Sequence, residues 1–110
     1  IGTIVVARVP DASASGRIQL EEDGRVRSFG EKEPRGGSPC LANAGVYLFE
    51  PDIFGFIPET VPASLEHDSI PAALNAGRAL YGFPAGGEFI DIGTPEGYRK
   101  MSGLLAGRKP

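Results

Sequence analysis

The alternation of apolar and polar positions predicts a mixed order of strands and helices. Residues 3–9 form a β-branched apolar run that is typical of a buried strand. Residues 17–31 alternate on both sides of the turn signal "EDG", which predicts a hairpin. Residues 40–50 form a second long apolar strand, and residues 79–85 and 88–92 predict two short ones.

Two helices are predicted among these strands. Residues 66–78 favour a helix of two to three turns, with Asp68 or Ser69 as its N-cap and Gly77 at its end. The run "TPEGYRKMSGLLAG" predicts a last helix capped by Thr94. The order of elements therefore indicates an α/β fold with a mixed sheet.

Length and composition bound the possible functions. The 110 residues predict a single domain, residues 1–110, and the net charge of −3 gives no reason to expect a nucleic-acid or membrane partner. A single cysteine, Cys40, excludes an internal disulfide and favours a reducing, cytoplasmic location. Because the first strand has little sequence before it to pair with, we expect a homo-oligomer or association through the N-terminal strand.

Asp91 is a carboxylate at the end of the apolar run "EFIDI", three residues before the helix cap Thr94. Thr94 and Pro95 already cap the last helix, so Asp91 is not needed there. Ligands bind at the carboxyl edge of strands in open α/β sheets, and a lone carboxylate suits Mg²⁺ held together with substrate phosphates. The alternative is that Asp91 accepts hydrogen bonds from loop N–H groups and fixes the turn.

Two further positions carry candidate chemistry. Glu31 and Lys32 end the hairpin, where a lysine can bind phosphate and a glutamate can accept hydrogen bonds from hydroxyls. The alternative is an ordinary charged strand end. Asn43 and Gly45 lie inside an apolar strand, which disfavours both residue types. That pair indicates either ligand contact or a bulge with a locally bonded asparagine.

In order, these stretches resemble the sugar-1-phosphate nucleotidyltransferases, also called nucleotide-sugar pyrophosphorylases. The family pattern is a Gly before a hairpin strand, Glu-Lys-Pro, Asn-x-Gly-hydrophobic-Tyr and Asp-x-Gly-Thr-Pro-Glu-x-Tyr. Here these motifs stand as "SGRI", "FGEKEP", "NAGVY" and "DIGTPEGY", with Glu33 as an extra residue between Lys32 and Pro34. The last motif is most similar to mannose- or heptose-1-phosphate guanylyltransferase-like members.

The resemblance implies part of a Rossmann-like, glycosyltransferase-A-like three-layer fold with a mixed sheet. The family's Gly-rich nucleotide loop and its first metal-binding Asp precede the matched region and have no counterpart here. The chain is therefore similar to the C-terminal, sugar-phosphate-binding half of such an enzyme, with the N-terminal nucleotide-binding half absent, and the chain alone is expected to be inactive.

The chemistry implied by the resemblance is nucleotidyl transfer between a sugar 1-phosphate and a nucleoside triphosphate. It implies that Lys32 and Asp91 are catalytic, Asp91 as a ligand of Mg²⁺ and Lys32 as a contact to the sugar phosphate. It also implies that Glu31 and Asn43 bond sugar hydroxyls and that the backbone near Gly16 approaches the sugar. The alternative is a non-catalytic α/β domain that binds a sugar phosphate or associates with a partner chain.

Overall fold

A computed structural model of the chain describes residues 1–9, 17–31 and 40–107, with Glu31 described by its backbone alone. The described strands form one five-stranded sheet. They are β1 (Gly2–Val9), β2 (Arg17–Leu20), β3 (Val26–Glu31), β4 (Cys40–Phe49) and β5 (Leu80–Pro84). Their order in the sheet is β3-β2-β4-β1-β5, with β1 and β5 parallel and the other pairs antiparallel. The expected α/β class with a mixed sheet is confirmed.

β1 lies in the interior of the sheet. Gly2 pairs with Phe49 of β4 on one side and with Leu80 of β5 on the other. Ile4 and Val6 are fully buried, which explains the β-branched composition of this strand. The expectation of an unpaired first strand, open to association, is therefore wrong. Its partners come from distant parts of the chain, which the composition of β1 could not reveal.

β2 and β3 form the predicted hairpin, and the turn between them reaches β5. The Gly82 N–H donates to the Gly24 carbonyl oxygen at 2.8 Å. A Cβ on Gly82 would lie 2.7 Å from Cδ2 of Leu20. The hairpin therefore packs closely against β5, and a side chain at position 82 would displace the methyl groups of Leu20.

The helical segment after β4 begins earlier than predicted. A 3₁₀ helix (Pro51–Phe56) is followed by a π-helical turn (Leu65–Ser69), which runs directly into α1 (Ile70–Asn75). The N-cap is Ser64, whose hydroxyl accepts from the His67 N–H at 3.1 Å. The prediction of Asp68 or Ser69 as the cap is wrong.

The side chains of the two predicted caps have other positions. Asp68 accepts from the Ser64 N–H at 2.7 Å, so it supports the start of the π turn from within it. Ser69 is helical and makes no capping hydrogen bond. The predicted end is confirmed. Gly77 adopts φ +80°, its N–H donates to Leu74, and the next N–H donates to the Ala73 carbonyl, as in a Schellman motif.

Residues 88–92 do not form the predicted strand. The Ala85 N–H still donates to the Val6 carbonyl at 2.9 Å, but Gly87 then adopts φ +86° and the chain leaves the sheet. The last helix, α2 (Pro95–Ala106), is confirmed with its Thr94 cap. Neither α1 nor α2 in the described residues has the length and hydrophobicity needed to span a membrane.

The core lies on one face of the sheet, where the π turn and α1 pack. Its buried side chains are Ile4, Val6, Ile18, Val26, Ile70 and Leu80. Because successive strand residues alternate between faces, Thr3 and its pairing partners Leu48 and Tyr81 lie on the opposite face. Leu48 is 76% exposed and Phe83 is 61% exposed, so this second face presents apolar side chains to solvent.

Candidate functional site

Two candidate residues, Glu31 of β3 and Asn43 of β4, lie in neighbouring rows of the sheet near the carboxyl end of β1. Asn43 of β4 pairs with Val6, which pairs in turn with the last residue of β5. On the other side, Arg17 of β2 pairs with both Ala42 and Glu31. Across these strands, at a spacing of about 4.8 Å each, the backbones of Glu31 and Asn43 lie roughly 10 Å apart. The row crosses the carboxyl ends of a parallel pair, where open α/β sheets bind ligands.

A bulge in β4 presents Asn43. Ile4 pairs with Tyr47 but Val6 pairs with Asn43, so β4 carries two extra residues between these pairs. Gly45, inside the bulge, adopts φ +79°. Its N–H donates to Oδ1 of Asn43 at 2.7 Å. The alternative of a bulge with a locally bonded asparagine is therefore what the structure shows, and the contact with sugar hydroxyls stays a prediction.

Asn43 belongs to a polar cluster with two residues that the sequence did not single out. Its Nδ2 donates to the Tyr47 hydroxyl and, at 3.3 Å, to Oε1 of Glu66. The Tyr47 hydroxyl donates to the same carboxylate oxygen at 3.1 Å. We call these three residues the hydroxyl cluster. It joins an amide, a phenol and a carboxylate, and so offers both donors and acceptors to a polar ligand.

The environment of Tyr47 keeps its phenol protonated. Burial raises the pKa of Tyr47 to about 12, the Asn43 amide opposes the rise, and the Glu66 carboxylate adds to it. The ring of Tyr47 stacks on Phe49 with centroids 5.5 Å apart and planes 12° apart. Packing therefore fixes the ring, while its neutral hydroxyl can both accept and donate.

Glu66 reaches the hydroxyl cluster from the π-helical turn. Ser64 caps this turn through its hydroxyl, and Asp68 accepts from the Ser64 N–H in return. The side chain of Glu66 is exposed, and its Oε2 has no hydrogen-bond partner within the described ranges. A carboxylate oxygen beside Asn43 thus remains open to a ligand.

Asp91 forms a local turn next to the start of α2. Its Oδ1 accepts from the Gly93 N–H at 2.8 Å, and its carbonyl oxygen accepts from the Thr94 hydroxyl at 3.4 Å. The predicted turn-fixing role is therefore present. Asp91 is exposed, and no hydrogen bond links it to the hydroxyl cluster in the part of the chain that the structure describes.

The Asp91 carboxylate can supply one oxygen ligand to a divalent cation. No group of three or more His, Cys, Asp or Glu side chains in residues 1–9, 17–30 and 40–107 could hold a metal ion. Mg²⁺ is commonly bound by one or two carboxylates together with substrate phosphates and water, a pattern that a single exposed carboxylate matches.

Part of the predicted site lies outside the described residues. Gly16 and Lys32 are among these, and Glu31 is placed by its backbone alone. Sequence reasoning missed Tyr47 and Glu66. Tyr47 ends the quoted "NAGVY" motif, which was a usable signal. Glu66 stands in "SLEHD", where only the capping serine marks the segment, and no local pattern ties it to β4.

Comparisons with known proteins agree on one family. The family model described as "Nucleotidyl transferase" matches residues 1–107. A mannose-1-phosphate guanylyltransferase catalytic subunit beta from Drosophila pseudoobscura pseudoobscura is 36% identical over 97 residues, covering 88% of this chain and 25% of the relative. A mannose-1-phosphate guanylyltransferase from Mycobacterium tuberculosis is 34% identical over 110 residues, covering 98% of this chain and 30% of the relative.

A solved structure has the same fold. The crystal structure of HddC from Yersinia pseudotuberculosis matches with a TM-score of 0.74 and 27% identity, covering 94% of this chain and 44% of that one. HddC complexed with GMP-PN matches with a TM-score of 0.69 and 29% identity. The chain thus spans between a quarter and a half of the length of these proteins.

Proposed function

The chain belongs to the nucleotidyl transferase family, and from this premise we propose that it is the sugar-phosphate-binding part of an enzyme that makes a nucleotide-sugar. The substrates are a sugar 1-phosphate and a nucleoside triphosphate, and the products are the nucleotide-sugar and pyrophosphate. The observation that carries the proposal is the hydroxyl cluster of Asn43, Tyr47 and Glu66 at the carboxyl edge of the sheet.

The hydroxyl cluster suits a sugar because each sugar hydroxyl is both a donor and an acceptor. The free Oε2 of Glu66 accepts from one hydroxyl, and Oδ1 of Asn43 has a lone pair beyond the one that faces Gly45. The neutral Tyr47 phenol keeps the amide and the carboxylate in place. A site that pairs with a substrate hydroxyl in this way rejects an analogue that lacks it.

In this reaction the residues of the chain position the substrates and neutralise phosphate charge. A sugar-phosphate oxygen forms a bond to the α-phosphorus, the bond from that phosphorus to the bridging oxygen breaks, and pyrophosphate leaves with the electron pair. Lys32 contacts the sugar phosphate and offsets its repulsion of the triphosphate. Glu31, Asn43 and the backbone near Gly16 hold the sugar.

Asp91 is the residue of this chain that would hold Mg²⁺. Oδ1 of its exposed carboxylate accepts a hydrogen bond from the Gly93 N–H. Oδ2 has no hydrogen-bond partner among the described residues, so this oxygen is free to act as a ligand. The cation supplies charge neutralisation of the phosphates when bound. The Asp91 turn keeps the carboxylate beside the start of α2.

The names of the relatives guide the choice of substrates. Two of them are named mannose-1-phosphate guanylyltransferases. We infer that mannose 1-phosphate and GTP are the first pair to test, followed by a heptose 1-phosphate. We infer a cytoplasmic location from the single cysteine, which favours a reducing compartment. We infer a homo-oligomer from the apolar side chains of Leu48 and Phe83 on the exposed face of the sheet.

The test is a pyrophosphate-release assay on the full-length protein that contains this chain. With mannose 1-phosphate, GTP and Mg²⁺, we expect pyrophosphate release that depends on the sugar phosphate. Glu66→Gln is expected to raise KM for the sugar 1-phosphate about tenfold. The matched control is Glu59→Gln, at an exposed position that is not part of the cluster, and it is expected to change KM little. Binding of the sugar phosphate without any pyrophosphate release would favour the non-catalytic binding domain instead.

A further inference from the structure

We propose that Gly45 is a positioning residue: its left-handed backbone holds the Asn43 amide in the one orientation that completes the hydroxyl cluster. The consequence for sugar binding rests on the proposed function. The structural part rests on the geometry of β4 alone.

The requirement for glycine at position 45 comes from its backbone. Its φ of +79° lies in the left-handed region, which L-residues with a side chain adopt at a cost. A Cβ built there would meet no described atom within 4 Å, so crowding does not explain the glycine. The left-handed turn allows the β4 bulge to form between the pairs of Ile4 and Val6.

The same turn decides which way the Asn43 amide faces. The Gly45 N–H donates to Oδ1 of Asn43 at 2.7 Å, which fixes the carbonyl side of a planar group. The NH₂ side then faces the Tyr47 hydroxyl and Oε1 of Glu66. Rotating the amide by half a turn would set its NH₂ against the Gly45 N–H, two donors facing each other, and would leave Glu66 without that donor.

A fixed amide has a consequence for specificity. An amide held in one orientation presents its acceptor and its donors at set positions, whereas a freely rotating amide binds either kind of hydroxyl arrangement. If Gly45 is changed so that the turn is lost, Asn43 remains in the chain but no longer aligns with Tyr47 and Glu66. The change should then weaken the binding of the sugar and have little effect on the rate of the chemical step.

The experiment compares two left-handed glycines in the full-length protein. Gly77 has φ +80° and also no described atom within 4 Å of a built Cβ, but it ends α1 instead of holding Asn43. Gly45→Ala and Gly77→Ala should therefore lose similar stability. We expect only Gly45→Ala to shift the NMR signals of the Asn43 side-chain amide. We also expect it to raise KM for mannose 1-phosphate about tenfold, with kcat reduced less than about threefold.

The outcomes separate this inference from the proposed function. Asn43 signals that move no more in Gly45→Ala than in Gly77→Ala overturn the positioning role, whatever the activity. If the wild type releases no pyrophosphate, the proposed function fails, while a selective shift of Asn43 in Gly45→Ala still supports the positioning role. If Gly45→Ala does not fold, Gly45→Asn decides, because asparagine tolerates the left-handed region. Wild-type Asn43 signals in Gly45→Asn support the inference, and displaced signals overturn it.

Discussion

At the scale of single residues, Asp91 combines a structural contact with an open ligand position. Its Oδ1 accepts from the Gly93 N–H at 2.8 Å, a bond that an asparagine oxygen can also accept. The negative charge, in contrast, has no ion-pair partner among the residues the structure describes. The turn therefore needs only the oxygen, whereas a cation would need the charge.

Asp91→Asn is accordingly expected to separate the two roles. In the full-length enzyme it should lower turnover by about two orders of magnitude, and it should change the free energy of unfolding by roughly 1 kcal/mol or less. Thr94→Ala is the control, expected to cost about 0.5–2 kcal/mol through the lost cap of α2. Near-normal turnover with a melting point lowered as far as in the control would make Asp91 a turn residue only.

Tyr47 gives a pH dependence with a defined sign. Its folded pKa of about 12 lies above the ordinary value of 10.0, so the folded state keeps a proton that the unfolded state releases. The stability that depends on this proton is complete below about pH 10 and is lost as the pH rises through about 12. Urea unfolding across that pH range should show a declining free energy of unfolding. The decline should be smaller in Tyr47→Phe than in the wild type, with Tyr81→Phe as the control. An equal decline in Tyr47→Phe would contradict the assignment.

At the scale of elements, both strands that carry sugar-binding candidates are irregular beside them. Gly45 forms the bulge next to Asn43, and Gly30, at φ +79°, comes immediately before Glu31, where the β2–β3 register shifts. Bulges interrupt the regular alternation of side chains and are common next to active sites. Both sugar-binding candidates of the sheet therefore lie next to an irregularity of their own strand.

The π-helical turn gives a second prediction at this scale. Ser64 caps the turn that carries Glu66, and Thr94 caps α2, so loss of either cap should cost about 0.5–2 kcal/mol. Only Ser64→Ala should also raise KM for the sugar 1-phosphate, because it loosens the segment that holds Glu66. Thermal melts and steady-state kinetics on both variants test this. An unchanged KM in Ser64→Ala would show that the cluster does not depend on its cap.

Sequence reasoning succeeded where the signal was local. Five confirmed predictions each depend on a few neighbouring residues. They are the apolar runs of β1 and β4, the hairpin, Gly77 at the end of its helix and the Thr94 cap. The family resemblance, built on four motifs in order, is confirmed by the family match.

One local prediction failed, since the N-cap before α1 is Ser64 and not Asp68 or Ser69. The other predictions that failed depended on contacts between distant residues. Residues 88–92 have a strand composition but no pairing strand, because the chain leaves the sheet at Gly87. β1 is an interior strand because β4 and β5, far along the chain, pair with it. Glu66 joins Tyr47 across 19 residues of sequence, and nothing in the periodicity of either segment indicates that contact.

At the scale of the whole molecule, the sheet has one covered face and one exposed face. Leu48, Tyr81 and Phe83 lie on the exposed face, each more than a third accessible. Apolar surface of this kind promotes association. We expect the 110-residue chain by itself to self-associate at micromolar concentration. Leu48→Gln combined with Phe83→Gln should reduce this in light scattering, and a clean monomer of the unaltered chain would contradict it.

The central claim is that the hydroxyl cluster recognises a sugar hydroxyl, and a cycle that pairs a mutant with deoxy substrates tests it most directly. KM would be measured in the full-length enzyme for mannose 1-phosphate and each of its monodeoxy analogues, in the wild type, in Asn43→Ala and in the control Asn75→Ala. For one analogue, KM should rise about tenfold over that for mannose 1-phosphate in the wild type and in the control. In Asn43→Ala, KM for that analogue should equal KM for mannose 1-phosphate. If every analogue raises KM in Asn43→Ala by the same factor as in the wild type, Asn43 does not recognise a sugar hydroxyl.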